Sequence, residues 1–379
     1  MIYLDHAATT PIHDTALEVL VNVSKHYYGN PSSLHDIGAE AKQLLDAGRR
    51  TIANIIKAEA EEIIFTSGGS ESNQLAIKAL LSASDASRNH IITSEVEHSS
   101  VRNLFDELEC SGYKVSKVGV DSSGMISIDE LKKLITDETA LISIQHANSE
   151  TGVIQALPAI GKLAKQHGVF FHSDCVQTFC KLGIEASWTD ALSVSSHKVY
   201  GPKGVGAFYL KKTIDSKPEI PGTSQEKGLK AGTQNVAGVA AFATAAKLNF
   251  TERTDEHIRL TMLRSKFVEK LEASGIEFTD EGSQENKLPN ILGIRFKGME
   301  GQFLMLECSQ AGLAISTGSA CQVGSDKPNR TMKAMGKSDE DAREFVRFSF
   351  GKQNTEDQID VIIEKIGTIL SRHFAKAKF

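Results

Sequence analysis

Cysteine is scarce in this chain: there are five in 379 residues, at positions 110, 175, 180, 308 and 321, an odd number with no CxxC pair. That count and spacing argue against a disulfide scaffold or a zinc site, and reduced thiols in a reducing compartment are expected. Cys110, Cys175, Cys180 and Cys308 fall in or beside core segments, where a thiol behaves as a small hydrophobe; Cys321 does not. A basic excess is also missing. Lys and Arg number 42 against 48 Asp and Glu, a net charge of −6, and the pI is near 6.1. Without a basic stripe, nucleic acid and anionic membrane surfaces are poor partners, so the expected ligands are small molecules or proteins. No apolar run approaches the ~18 residues of a spanning helix. The N-terminus opens Tyr3-Leu4-Asp5-His6 in place of a basic-then-apolar signal, so a soluble cytoplasmic protein is expected. Repeats and low-complexity segments are absent too.

With 40% hydrophobic and 24% charged residues the composition is globular, and the length suits a large domain plus a smaller one. Short apolar runs at 63–65, 90–93, 140–144, 169–171, 191–194 and 205–210 alternate with amphipathic stretches such as 71–81, 99–111 and 157–167. This alternation predicts an α/β fold with a mainly parallel sheet covered on both faces, whose ligands bind beyond the carboxyl ends of the strands. The pattern changes after a helical stretch at 236–248: a polar amphipathic segment at 255–274 leads to strands at 291–296 and 345–350 and a closing helix at 357–374. The expected division is a large domain at 14–252 and a smaller α+β domain built from 1–13 and 253–379. The polar stretch 318–337, which carries Cys321, predicts a mobile loop.

Several strand ends carry chemistry. Ser195-Ser196-His197-Lys198 follows the 191–194 strand. A lysine there can form a Schiff base with the aldehyde of pyridoxal 5′-phosphate, with serine and histidine on its phosphate. Upstream, Asp174 ends another apolar run and suits the partner of a pyridinium nitrogen, whose proton a buried carboxylate stabilises far more than one in water. Gln177 could reach the phenolic oxygen. Ser67-Gly68-Gly69-Ser70 lies between a strand and a helix, where bare N–H groups, the helix dipole and a capping Ser70 would bind phosphate; a plain connection is the alternative. His98, after the 90–93 strand, can stack on a flat ring and move protons, or simply cap a helix. Asn148 can bind cofactor or substrate, or form the turn before Gly152.

Together, His98, Asn148, Asp174 with Gln177, and Ser195-x-His197-Lys198 followed by Tyr200-Gly201-Pro202-Lys203-Gly204 resemble the class V pyridoxal-phosphate aminotransferase superfamily, with its fold type I architecture and seven-stranded sheet. Within it the chain resembles the cysteine desulfurases. The likeness runs from Tyr3-Leu4-Asp5-His6-Ala7-Ala8-Thr9-Thr10-Pro11 to Arg347-Phe348-Ser349, and Ser316-Thr317-Gly318-Ser319-Ala320-Cys321 is similar to the SSGSAC segment of the long-loop group. A cysteine on a mobile exposed loop can lose its proton at the substrate and attack sulfur.

The resemblance implies Cys321 as nucleophile, Lys198 as the Schiff-base lysine, Asp174 at the ring nitrogen and Gln177 at the phenolic oxygen. It also implies His98 stacked on the ring, and Gly69, Ser70, Ser195 and His197 around the phosphate, with Thr233 reaching in from a second subunit of a homodimer. Arg347 would clamp the substrate carboxylate, assisted by Asn148. The implied reaction removes sulfur from L-cysteine as a Cys321 persulfide, releases L-alanine, and serves a sulfur acceptor: an iron–sulfur scaffold, a tRNA-thiolation enzyme, or an iron–sulfur enzyme such as quinolinate synthase. A selenocysteine lyase or another class V aminotransferase is the alternative. The chain departs from the family at Pro221-Gly222-Thr223-Ser224-Gln225-Glu226, where a Gly-Gly-Gly-Gln-Glu run is common, and at Lys230, where Arg is usual.

Overall fold

The computed structural model describes residues 1–318 and 327–376. After β1 (Ile2–Tyr3) and the helices α1 (Asp14–His26) and α2 (Asp36–Ile55), the chain builds its larger sheet from β2 (Ile63–Thr66), β3 (His90–Ser94), β4 (Lys114–Val118), β5 (Thr139–Ser143), β6 (Phe170–Asp174), β7 (Ala191–Ser195) and β8 (Gly206–Leu210). Helices α3 (Gly69–Ala83), α4 (Ser99–Cys110), α5 (Ile128–Leu134) and α6 (Leu157–Gln166) lie in the connections. The strand order is β2-β8-β7-β6-β5-β3-β4. Only β8 runs against its neighbours; the other pairs are parallel.

Strands such as Ile-Ile-Phe-Thr and Ala-Leu-Ser-Val-Ser are buried along their whole length, the pattern of a sheet covered on both faces. The polar side chains inside it are matched to one another. His172 on β6 bonds Ser143 on β5 at 2.8 Å and Ser193 on β7 at 3.0 Å, and burial pushes the imidazole down to about 3. A neutral ring with both nitrogens bonded can sit in the core without the cost of an unmet polar group. β4 lies outside the expected strands: its Lys-Val-Ser-Lys-Val run is half exposed at the sheet edge, where lysines discourage further pairing.

The smaller lobe comprises β9 (Phe278–Glu281), β10 (Ile291–Phe296), α8 (Gly301–Gln310), β11 (Leu313–Ala314), α9 (Arg330–Ala334), α10 (Asp339–Arg343), β12 (Phe345–Ser349) and α11 (Asp357–Lys376). β10 is the centre of an antiparallel sheet between β9 and β12, and β1 pairs with β11. The two helical stretches expected at 236–248 and 255–274 form one helix, α7 (Val236–Ala273). Its first half sends Val239, Phe242 and Ala246 into the core of the larger sheet. Leu260, Leu263, Phe267 and Leu271 enter the core of the smaller lobe. The expected 252/253 boundary therefore falls inside an unbroken helix that both lobes share.

Two further expectations change. Cys110 is exposed at the end of α4, whereas Cys175, Cys180 and Cys308 are buried free thiols. Part of the expected mobile loop at 318–337 is the helix α9, because Asn329 caps it, its side chain accepting from the Met332 N–H at 3.0 Å, and Met332 packs with Met335, Ala342 and Phe345. Cys321 lies outside the described residues.

Candidate active site

The carboxyl ends of β2, β3, β5, β6 and β7 face one open cleft, the place where sheets of this kind bind small molecules. Gly69, Ser70, His98, Asp174, Gln177, Ser195, His197, Lys198 and Arg347 all line it. The sheet thus gathers nine of the sequence candidates into one place.

One end of the cleft suits an anion. Gly68 is the cap of α3, so Ser70 is the second helical residue and not the cap expected from the sequence. A Cβ at Gly69 would stand 2.8 Å from Val176 Cγ2, which favours glycine at this position. First-turn N–H groups have no acceptor within the helix and lie at the positive end of its dipole. Ser195 Oγ is buried with no partner among the described residues. His197 bonds Thr9 Oγ1 at 3.1 Å, and its imidazole is pushed down to about 4 by burial first and then by Lys198, Lys203 and Lys181. An orphaned hydroxyl, open amides and a neutral imidazole fit the phosphate of pyridoxal 5′-phosphate.

Further in, Asp174 accepts from Asn73 Nδ2 at 2.8 Å and from the Val176 N–H at 2.9 Å. Asn73 also donates to Ser100 Oγ at 2.9 Å, and Ser100 Oγ meets His98 Nδ1 at 2.8 Å. Because His98 Nδ1 also accepts the Ser100 N–H, the proton of the neutral ring is assigned to Nε2. Burial holds His98 below its ordinary range, opposed by Asp174 and helped by Lys198. Asn73 and Ser100 therefore tie the candidate ring-nitrogen partner to the candidate stacking histidine. Nearby, Glu97 accepts from Ser94 Oγ and the Gln145 N–H, and burial pushes its carboxyl up to about 8. It is thus mainly neutral at pH 7 and adds little negative charge beside Asp174.

Lys198 points its amine at the carbonyls of Ala7 and Ala8, at 2.6 and 2.7 Å. The N-terminal segment reaches this point from the smaller lobe, where the Ser349 N–H donates to Leu4 O at 2.7 Å. Burial, then Arg347 and Lys181, push the Lys198 amine from 10.5 down to about 7, against Asp174 and Asp5. Only the neutral amine attacks an aldehyde. The rate at which the cofactor-free protein reacts with pyridoxal phosphate should therefore level off above about pH 8. A rate still climbing toward pH 10.5, measured by stopped-flow absorbance, would contradict the depressed amine.

Arg347 is buried, donating from Nη1 to Ser149 O at 2.8 Å and from Nη2 to Asp5 Oδ1 at 2.5 Å. Its Nε has no partner among the described residues, so one donor of the guanidinium is uncommitted. Gln177 donates to Ala7 O at 3.0 Å, while its Oε1 is buried and unmet. Asn148 takes the turn role offered as the alternative: its oxygen accepts the N–H groups of Glu150 and Thr151, and its nitrogen donates to Val96 O. That side chain builds the turn before Gly152, and it does not line the cleft. Thr233 is exposed and likewise outside the cleft. In the departing stretch, Glu226 takes both Nη groups of Arg49 and the Phe65 N–H, which fastens this segment to β2; Lys230 Nζ lies 3.9 Å from Glu71.

Comparison with known proteins agrees with this geometry. The family model described as aminotransferase class-V matches residues 2–362. The chain is 44% identical to a NifS of Bacillus subtilis, over 96% of this chain and 93% of that one. It is 40% identical to the cysteine desulfurase IscS of Dictyoglomus turgidum, over 97% and 96%. A solved NifS-like protein superposes with a TM-score of 0.91 at 34% identity, covering 98% of this chain and 99% of the other. The chain belongs to the class-V aminotransferase family and, within it, to the pyridoxal-phosphate-dependent cysteine desulfurases.

Proposed function

We infer that this cysteine desulfurase takes the sulfur of L-cysteine onto its own Cys321 and hands it to an acceptor protein. One observation carries the reading: Gly318 lines the same cleft as Lys198 and Arg347, and its neighbour Ser316 exchanges backbone hydrogen bonds with Arg347 at 2.6 and 3.2 Å. The segment leading to Cys321 therefore starts beside the residue assigned to the substrate carboxylate.

When bound, pyridoxal phosphate supplies a reactive aldehyde and an electron sink for bonds at the substrate Cα. Gly69, Ser70, Ser195 and His197 would hold its phosphate, and Asp174 would keep the proton on its ring nitrogen. Gln177 would face its phenolic oxygen and His98 its flat ring. Lys198 takes and returns the proton at Cα, a task for which an amine poised near neutral pH is suited. Arg347 orients the substrate carboxylate, its fork pre-set by Asp5 and Ser149 O. The Cys321 thiolate then attacks the substrate Sγ: an S–S bond forms as the Cβ–Sγ bond breaks, and the electron pair stays on the carbon fragment. After protonation that fragment is L-alanine. L-cysteine and a thiol become L-alanine and a persulfide, and no outside oxidant is needed.

The proposed acceptors are proteins that assemble iron–sulfur clusters or thiolate tRNA, or an iron–sulfur enzyme such as quinolinate synthase. We place the enzyme in the cytoplasm as a homodimer, with the exposed Thr233 offered to a second subunit. The purified holoenzyme given L-cysteine should release L-alanine, and persulfide sulfur should leave as sulfide when a thiol reductant is added. Failure to form alanine would refute the reading. Arg347→Lys should raise KM for L-cysteine roughly 10- to 150-fold, since a charged bidentate contact is worth about 1.5–3 kcal/mol. Steady-state kinetics with an unchanged KM would move the carboxylate contact elsewhere.

A further inference from the structure

We propose that Glu150 and Asn329 are positioning residues that hold together the two ends from which the Cys321 segment departs; this rests on the assignment of Cys321 as the sulfur-accepting thiol. Asn329 Nδ2 donates to Glu150 Oε2 at 3.1 Å and to Thr317 O at 3.3 Å. Thr317 precedes Cys321 and Asn329 follows it, so a single amide group spans both ends. Glu150 and Asn329 are 6% and 7% exposed, and in that setting a charge-assisted bond is stronger than at a surface. Gly318 sits directly against the pair. A Cβ there would stand 2.6 Å from Glu150 Oε1 and 2.7 Å from Asn329 Nδ2, and its φ of +126° is one that side chains disfavour.

Both partners are themselves fixed. The Glu150 N–H donates to Asn148 Oδ1 at 2.9 Å, and the preceding carbonyl, Ser149 O, receives Arg347 Nη1 at 2.8 Å. The Asn329 N–H donates to Ala342 O at 3.3 Å, and its Oδ1 caps α9. The turn at 148–152 thus touches the substrate-carboxylate arginine with one residue and the ends of the Cys321 segment with the next. Sulfur transfer needs the thiol and the bound cysteine in register, and a misplacement of about 1 Å can cost on the order of 10²-fold in rate. In this chain Glu150 and Asn329 provide that register.

The amide nitrogen and oxygen of Asn329 have separate jobs, so they can be separated. Asn329→Asp keeps an acceptor for the α9 cap, since Asp caps helices as well as Asn does, but it removes the donor and sets two carboxylates together. With the holoenzyme and one equivalent of L-cysteine, N329D should form persulfide roughly 10- to 100-fold more slowly. The visible spectral titration with L-cysteine should stay unchanged, because the binding groups of the cleft are untouched. Adding Glu150→Gln restores a donor–acceptor pair with position 329 in the opposite direction but not the bond to Thr317 O, so N329D/E150Q should regain part of the lost rate without reaching that of the parent. A parental persulfide rate in N329D overturns the proposal. So does a slow N329D that E150Q fails to speed up. Persulfide still appearing on a Cys321→Ser protein would instead refute the identity of the acceptor thiol, a result that N329D does not affect.

Discussion

Replacing Cys321 by serine should give an enzyme that recognises L-cysteine and goes no further. The substitution keeps the size of the side chain but exchanges a thiol of pKa about 8.5 for a hydroxyl that does not ionise usefully at neutral pH. The variant should bind pyridoxal phosphate and show the parental spectral change on adding L-cysteine, because Lys198, Asp174 and Arg347 are all in place in the cleft. L-alanine formation should fall by at least about 10³-fold, as when the nucleophile of a covalent mechanism is removed. Alanine assayed at a near-parental rate would remove Cys321 from the reaction and favour an aminotransferase or a selenocysteine-specific enzyme.

Lys198→Ala should be as damaging for a different reason. It deletes the buried amine that the Ala7 and Ala8 carbonyls orient, and with it the group proposed to move the proton at Cα. Loss of that proton transfer alone is worth about 10²- to 10⁴-fold. The cofactor should still bind, because the phosphate end of the cleft and Asp174 are independent of Lys198, but dialysis should now remove it more readily. The substitution should also change the pH dependence of the cofactor-free protein. With its folded pKa lowered from 10.5 to about 7, Lys198 binds fewer protons folded than unfolded across that window. Its contribution therefore makes stability rise with pH from about 7 to 10.5. Lys198→Ala should flatten that rise, and denaturant titrations at pH 7 and pH 10 would measure it. An equal slope in both proteins would mean that the amine is not desolvated.

Much of this site was legible because short apolar strands end in polar residues, and a parallel sheet collects such ends on one edge. Asp174, Lys198, His98 and Ser195 could be placed from that rule. What escaped had no comparable signal. Asn73 lies inside α3 and Ser100 in the first turn of α4, where a polar side chain reads as solvent-facing until the tertiary structure turns it toward Asp174 and His98. The acceptors for Lys198 are backbone carbonyls, which any residue carries. For Asn148 the sequence leaves a binding role and a turn role open, and only the folded chain shows that its amide closes the turn before Gly152. The helix α7 was divided in two because its apolar face changes partner along its length: Val239 and Phe242 serve one core and Leu263 and Phe267 another. β4 has too few apolar residues to register, as an edge strand needs only one well-buried end.

The central claim is that sulfur from L-cysteine comes to rest on one thiol of this chain. It is tested most directly by peptide mass mapping of the holoenzyme after a single turnover, with thiols alkylated under non-reducing conditions. The peptide containing Cys321 should be heavier by one sulfur atom, and the peptides containing Cys110, Cys175, Cys180 and Cys308 should be unchanged. Stoichiometric L-alanine with the extra sulfur on another cysteine, or on none, would contradict the account.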